Sequence, residues 1–375
     1  MAQVRVTALR FSSMLENRGM QATHVRDGLK VEVDVERLAS EDLDLEFEQL
    51  VALAKRFKKP WPYLLVDAPE TLGARPRDNR TLANRRHPLS PELVDEVMRV
   101  EAMLEASADL FPEIAFEVPT SAITLNTPVV DAAAAIRELL GVSWEAQIGA
   151  RGDYASLRLW SLALQERGIY VSMRRLEDAT VRAFSLVSGE QAVVVADTQD
   201  VPYARIFSLL HEYTHVVLRT AGVCDLDDYD TVERYCNAVA ATVLMPGALL
   251  RRELPKRTWG TSIEADEKEI AALANRLGVS KASLLIRLRD YGTLSQEQYD
   301  VLERRRSERR GGDEKPGGTY YPAAINKVGR RFARGVVGAY EAGTIDRQDA
   351  STLLEIPEHN FHSFRVELAK AGRGE

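Results

Sequence analysis

Residues 204–222 read ARIFSLLHEYTHVVLRTAG, and inside them His211-Glu212-Tyr213-Thr214-His215 forms an H-E-x-x-H pattern. On an α-helix, positions i and i+4 share a face one turn apart. Two imidazoles so placed can meet one metal ion at nitrogen distances of roughly 2.0–2.1 Å. Glu212 follows His211 and is rotated about 100° around the helix from it. It is therefore placed to reach the ion's water rather than the ion, where a carboxylate can act as general acid/base. Ile206, Phe207, Leu209, Leu210, Val216, Val217 and Leu218 surround the motif, so the helix is expected to be nearly all buried. Two histidines and a glutamate in so apolar a helix need partners, because an unpaired buried polar group is costly.

A catalytic zinc site takes three protein ligands and keeps one open position. Two helices are expected, about 202–220 and 231–245, joined by the acidic loop CDLDDYD (224–230). A short loop folds the second helix back on the first. Glu233 opens that helix, ERYCNAVAATVLMP (233–246), and is one candidate third ligand. An acidic residue also suits a helix N-terminus without any ion. Asp225, Asp227, Asp228 and Asp230 are rivals, and the residues alone leave the choice open.

Upstream, DAAAAIRELLGV (131–142) and DYASLRLWSLALQERGI (153–169) read as helices. IYVSMRRL, VRAFSLVSG and QAVVVADT then read as strands, because β-branched residues replace the Leu/Ala pattern. Helices, a small sheet and a helix pair in that order give an α+β class.

These residues carry a family resemblance. Arg205, Phe207 and Ser208 lead into His211, Glu212 and His215; Glu233, Asn237, Ala240, Leu244, Met245 and Pro246 follow. The pattern closely resembles the ImmA/IrrE metallopeptidases over about 131–250. Cys236 stands where that family usually has Ala, Val239 where it has Phe, and Tyr213-Thr214 where it often has Leu-Gly. The resemblance implies a zincin-like metallopeptidase core, Zn2+ held by His211, His215 and Glu233, and Glu212 as general acid/base. It implies a protein substrate of the repressor type, or a neighbouring toxin or antitoxin protein as partner. DNRT (78–81), KKPWPYLLVDAPE (58–70) and GGTYYPAAINKVGRRFARGVVGAYEAGTIDRQDASTLL (317–354) are similar to the longer members, which carry an N-terminal Xre-type helix-turn-helix. Asn79 replaces a usual Phe, and the first 50 residues hold no clear recognition helix, which sets DNA contact behind a protein partner.

The division expected along the 375 residues is a helical, degenerate helix-turn-helix-like region (1–70), a linker with an amphipathic helix (71–130) and the peptidase core (131–255). A helical pair with helix-turn-helix cadence (256–303), a charged flexible linker (304–318) and a helical tail of two or three helices (319–375) complete it. In the first region, Leu9, Phe11, Met14 and Leu15 could line one helical face, and Leu43 to Phe57 reads nearer helix than strand. Lys55, Arg56, Lys58 and Lys59 read as a solvated basic face. Ser90 and Pro91 open the amphipathic helix as N-cap and first turn.

Composition narrows the rest. The formal charge is −7, from 49 Lys+Arg against 56 Asp+Glu, so nucleic-acid contact has to be local. Two cysteines, Cys224 and Cys236, exclude a disulfide scaffold. No apolar run spans a bilayer and no signal-peptide core opens the chain, so the expectation is a cytoplasmic protein without a membrane partner. His24, His87, His359 and His362 are isolated, Tyr229 and Tyr235 are possible oxyanion donors whose packing roles come first, and Arg205 is expected in a structural ion pair. The leading expectation is a zinc endopeptidase acting on a regulatory protein. Its rival is a DNA-binding regulator or antitoxin that uses the same fold for sensing or for holding a toxin, without proteolysis.

Overall fold

A computed structural model of the chain describes residues 3–16, 20–57, 59, 61–70, 90–178, 180–220, 229–256, 259–260, 262–308 and 320–371. The class is α+β, in two units: Met1–Ala106 with Leu176–Thr180, and Ser107–Arg175 with Val181–Glu375.

The first unit begins with a strand. Gln3–Val6 (β1) pairs antiparallel with Leu43–Glu46 (β2), Val4 opposite Leu45. Residues 43–57 are therefore not one helix. L-D-L-E alternates with period two and finds a partner in Q-V-R-V. The helical period starts only at Phe47, where Phe47–Arg56 is opened by Gln49 Oε1 accepting from Glu46 N at 2.9 Å. Helix Ala8–Glu16 buries Phe11, Met14 and Leu15, while Leu9 is exposed. Phe11 meets Phe57 edge-on at 5.8 Å. Arg56 is not a solvated charge: it pairs with Asp95 and donates to the His24 carbonyl at 2.9 Å. Lys59 pairs with Glu105 at 2.6 Å, and Lys58 lies outside the described residues. Ser90 caps helix Pro91–Leu110, its hydroxyl accepting from Leu93 N at 3.2 Å.

In the second unit the β-branched stretches form Tyr170–Arg174 (β3), Ala183–Ser188 (β4) and Gln191–Asp197 (β5). Their order is β3-β5-β4, with β3 parallel and β4 antiparallel to β5. All seven positions of β5 are buried, as a strand covered on both faces requires. Val171, Met173, Ala192, Val194 and Ala196 enter one core with residues of helices Val129–Leu140, Asp153–Glu166, Pro202–Thr220 and Tyr229–Leu244. Tyr170 belongs to the alternate set, and its ring meets Phe332 of helix Arg330–Glu341 at 5.9 Å.

Among the described residues the tail has four α-helices rather than two or three: Tyr320–Val328, Arg330–Glu341, Arg347–Leu353 and Phe361–Ala371. Gly329 joins the first two at φ 84°, and a Cβ there would collide with the Val171 carbonyl, so the tail sits on β3 at backbone contact. Glu355 ends helix Arg347–Leu353 at φ 54°, a conformation usually left to Gly or Asn. Its carboxylate pairs with the buried Arg174 of β3 and with Lys327 at 2.7 Å. Helix Gln296–Glu308 carries the first residues of the expected linker, and 309–319 lie outside the described residues.

Candidate metal centre

Helix Pro202–Thr220 carries the H-E-x-x-H motif, and Arg205 fixes its entry. Arg205 Nε donates to the Asp200 carbonyl at 2.7 Å and Nη2 to the Thr198 carbonyl at 2.6 Å. Arg205 thus binds the turn after β5 through carbonyls rather than through an ion pair. Helix Tyr229–Leu244 folds back on the motif helix, and both contribute to one core.

Three carbonyls end that second helix, and buried or half-buried side chains meet them. Arg137 Nη1 donates to the Val243 oxygen at 2.7 Å, Gln147 Nε2 to the Leu244 oxygen at 2.9 Å, and Arg287 Nε to the Met245 oxygen at 3.1 Å. Two guanidinium groups at a helix C-terminus also complement its dipole. The opposite end of this helix holds Glu233.

His211, His215 and Glu233 converge. The two Nε2 atoms are 3.1 Å apart. Glu233 Oε2 is 3.3 Å from His211 Nε2, and Oε1 is 3.2 Å from His215 Nε2. With one ligand atom from each residue, all three lie within 4.8 Å of one another. A tetrahedral ion with ligands at roughly 2.0–2.1 Å sets those ligands about 3.3 Å apart. The donor set and its spacing therefore fit a divalent cation. Among the described residues this is the one group of three or more His, Cys, Asp or Glu so arranged. Asp225, Asp227 and Asp228 lie outside the described residues, as does Cys224.

The charges in this cluster support each other. Burial works to raise the Glu233 pKa, but hydrogen bonds and charge from both imidazoles outweigh it and hold the carboxyl well below the usual range. For His211, burial disfavours the charged form, and Glu233, Glu212 and Asn237 together raise its pKa despite that. Asn237 follows Glu233 by one helical turn, on the same face.

Glu212 stands apart from the three. Its side chain turns toward the sheet, where Ser185 Oγ of β4 donates to Oε2 at 2.9 Å. Both residues are buried. Ser185 is the site residue that sequence reading passed over. Its signal was present: a polar side chain in the apolar run VRAFSLVSG, in register with Val194 on the face toward the motif helix.

Of the two tyrosines considered as oxyanion donors, Tyr235 is engaged elsewhere, and the Tyr229 side chain lies outside what the structure describes. Tyr235 donates to the Thr127 carbonyl at 2.8 Å, and burial pushes its phenol up to about 12. Tyr213 donates to the Glu117 carbonyl at 2.8 Å. Cys236 is buried, His24 Nδ1 accepts from Gln21 N, and His87 lies outside the described residues.

Residues 164–289 match the family model described as the IrrE N-terminal-like domain, peptidase family M78. Over these residues the chain is similar to the ImmA/IrrE family. No curated protein matches it. The IrrE-like segment contains the three-stranded sheet, the three converging side chains and Glu212. It extends through helix Ile263–Leu277 and as far as residue 289 in helix Lys281–Asp290, beyond the span on which the sequence resemblance was strongest. The family is of metallopeptidase type, and the metal-competent cluster lies inside the matched residues. No helix among the described residues is long and apolar enough to cross a membrane.

Proposed function

We propose that this protein is a zinc-dependent endopeptidase that cuts a regulatory protein of repressor or antitoxin type. The observation that carries the reading is the convergence of His211, His215 and Glu233 beside a buried, oriented Glu212 within an IrrE-like segment. His211 Nε2, His215 Nε2 and Glu233 would hold the ion. When bound, zinc supplies Lewis acidity toward a peptide carbonyl and lowers the pKa of a water to about 7.

The chain's own groups do the rest. Glu212 takes a proton from the attacking water and returns it to the leaving amine. Ser185 occupies Oε2, which fixes the carboxylate plane and leaves Oε1 for the proton. β4 is the terminal strand of its sheet, so an extended substrate can lie along it as an added strand. That arrangement would bring a scissile carbonyl past Ser185 and Glu212.

The test is elemental analysis of purified protein beside the His211→Ala variant, followed by incubation with helix-turn-helix repressors encoded near it. About one zinc per chain, lost in His211→Ala, with cleavage abolished in Glu212→Gln, is the expected result. Absence of metal after zinc is offered, or cleavage that persists in Glu212→Gln, overturns the mechanism.

One observation favours a second reading as a DNA-binding regulator. Helices Ile263–Leu277 and Lys281–Asp290 are joined at Gly278 (φ 67°), with Ser280 capping the second helix. Salt-sensitive operator binding without cleavage would support it.

A further inference from the structure

At the far end of the helix that carries Glu233 lies a pocket of about 520 Å³. Thr242, on its wall, lies nine residues along that helix from Glu233, or about 14 Å at the α-helical rise. Val130, Ala134, Val142, Trp144 and Pro246 give it apolar walls. Arg137 and Thr242 also line it, and both are more than nine-tenths buried.

Those two polar side chains are incompletely served. Arg137 spends Nη1 on the Val243 carbonyl and stacks its guanidinium 5.5 Å over Trp160, but among the described residues Nη2 has no hydrogen-bond partner. Thr242 Oγ1 has none either. Both atoms lie just beneath the pocket wall with almost no accessible surface, so a ligand meets them after a small rotation of the two side chains. Arg137 forms no ion pair among the described residues, and Glu145, whose charge acts on it, is itself paired with Arg252 at 3.1 Å. Burial lowers the Arg137 pKa to about 10, which leaves it cationic at neutral pH.

We propose that this pocket binds a small monocarboxylate with an apolar stem, its carboxylate on Arg137 Nη2 and Thr242 Oγ1. One buried guanidinium and one hydroxyl match a single negative charge. A phosphate would bring a second charge toward Glu138 and Glu145, which also line the pocket. The volume suits a stem of several carbons rather than a bare ion. The proposal does not rest on the metal site.

Calorimetric titration of the full chain with hexanoate and with benzoate tests it, using hexan-1-ol and benzyl alcohol as uncharged matches. Thr242→Val is a safe variant, since it removes a buried hydroxyl that has no partner. Ala134→Phe fills the pocket from an exposed helix position. Saturable one-to-one binding of an acid is expected, about tenfold weaker in Thr242→Val and abolished in Ala134→Phe. The alcohols should bind more weakly than the acids. No binding of either acid up to about 10 mM, equal affinity for the matched alcohols, or binding unchanged in both variants overturns the proposal. Binding retained by His211→Ala separates this pocket from the metal centre.

Discussion

Ser185 on β4 donates a 2.9 Å hydrogen bond to Oε2 of Glu212, tying the sheet's terminal strand to the motif helix. A hydrogen bond to an ionised carboxylate contributes about 1.5–3 kcal/mol. Here its main effect is orientation, because Glu212 must present one defined oxygen to the water. Ser185→Ala should therefore lower kcat by about ten- to a hundredfold while leaving zinc content and KM near wild type. Ser185→Thr, which keeps the hydroxyl, should recover most of the rate. Steady-state kinetics on a cleaved repressor, with elemental analysis of both variants, checks this.

Zinc should stabilise the folded chain through the same cluster. His211, His215 and Glu233 lie on two helices of one core, so an ion that bridges them binds only the native arrangement. An ion present at 100 times its dissociation constant adds about 2.7 kcal/mol. Thermal unfolding should move to higher temperature on adding zinc to chelator-treated wild type. It should not move in His215→Ala or Glu233→Ala. An equal rise in all three would mean that zinc binds elsewhere.

Much of this arrangement was legible in the chain. The His211/His215 spacing gave the shared helical face, and the β-branched stretches after Gly168 gave all three strands of the sheet. Pairing was harder to read. Leu43–Glu46 is a strand because Gln3–Val6 lies beside it, a contact forty residues away that no local period reveals. Arg56 looked like one of several solvated cations, yet the fold encloses it with Asp95. The tail gave its helices away, but not that Gly329 allows them onto β3 or that Glu355 would meet Arg174. Glu233 was nameable only through the family pattern, since four aspartates compete in sequence for the same role.

The end of the Glu233 helix offers a stability prediction free of metal. Gln147 Nε2 donates to the Leu244 carbonyl at 2.9 Å and to the Leu277 carbonyl at 2.7 Å, so one buried amide joins the ligand helix to helix Ile263–Leu277. Gln147→Ala leaves both oxygens without this donor and opens a small cavity. The expected loss is about 2–4 kcal/mol in urea unfolding. Gln147→Glu should cost as much or more, since an ionised carboxylate cannot donate to either carbonyl. If Gln147→Ala unfolds with wild-type stability, water replaces the amide and the bridge is not structural.

Glu355 sets the acid limit of the tail's attachment. Burial alone would raise its pKa, but the Arg174 guanidinium and Lys327 hold it at about 2. A carboxyl depressed in the folded state contributes stability above its unfolded value of about 4.3, and that stability fades as pH falls toward the folded value. The depression corresponds to about 3 kcal/mol at neutral pH. Glu355→Gln should lose that amount near pH 7, where Arg174 keeps its charge inside the protein without its carboxylate. The gap between wild type and variant should narrow progressively from about pH 5 downward and nearly close by about pH 2. Urea titrations of both proteins across this range measure the gap directly. A difference that stays constant with pH would show that Glu355 acts through its backbone at φ 54° or through packing, rather than through its charge.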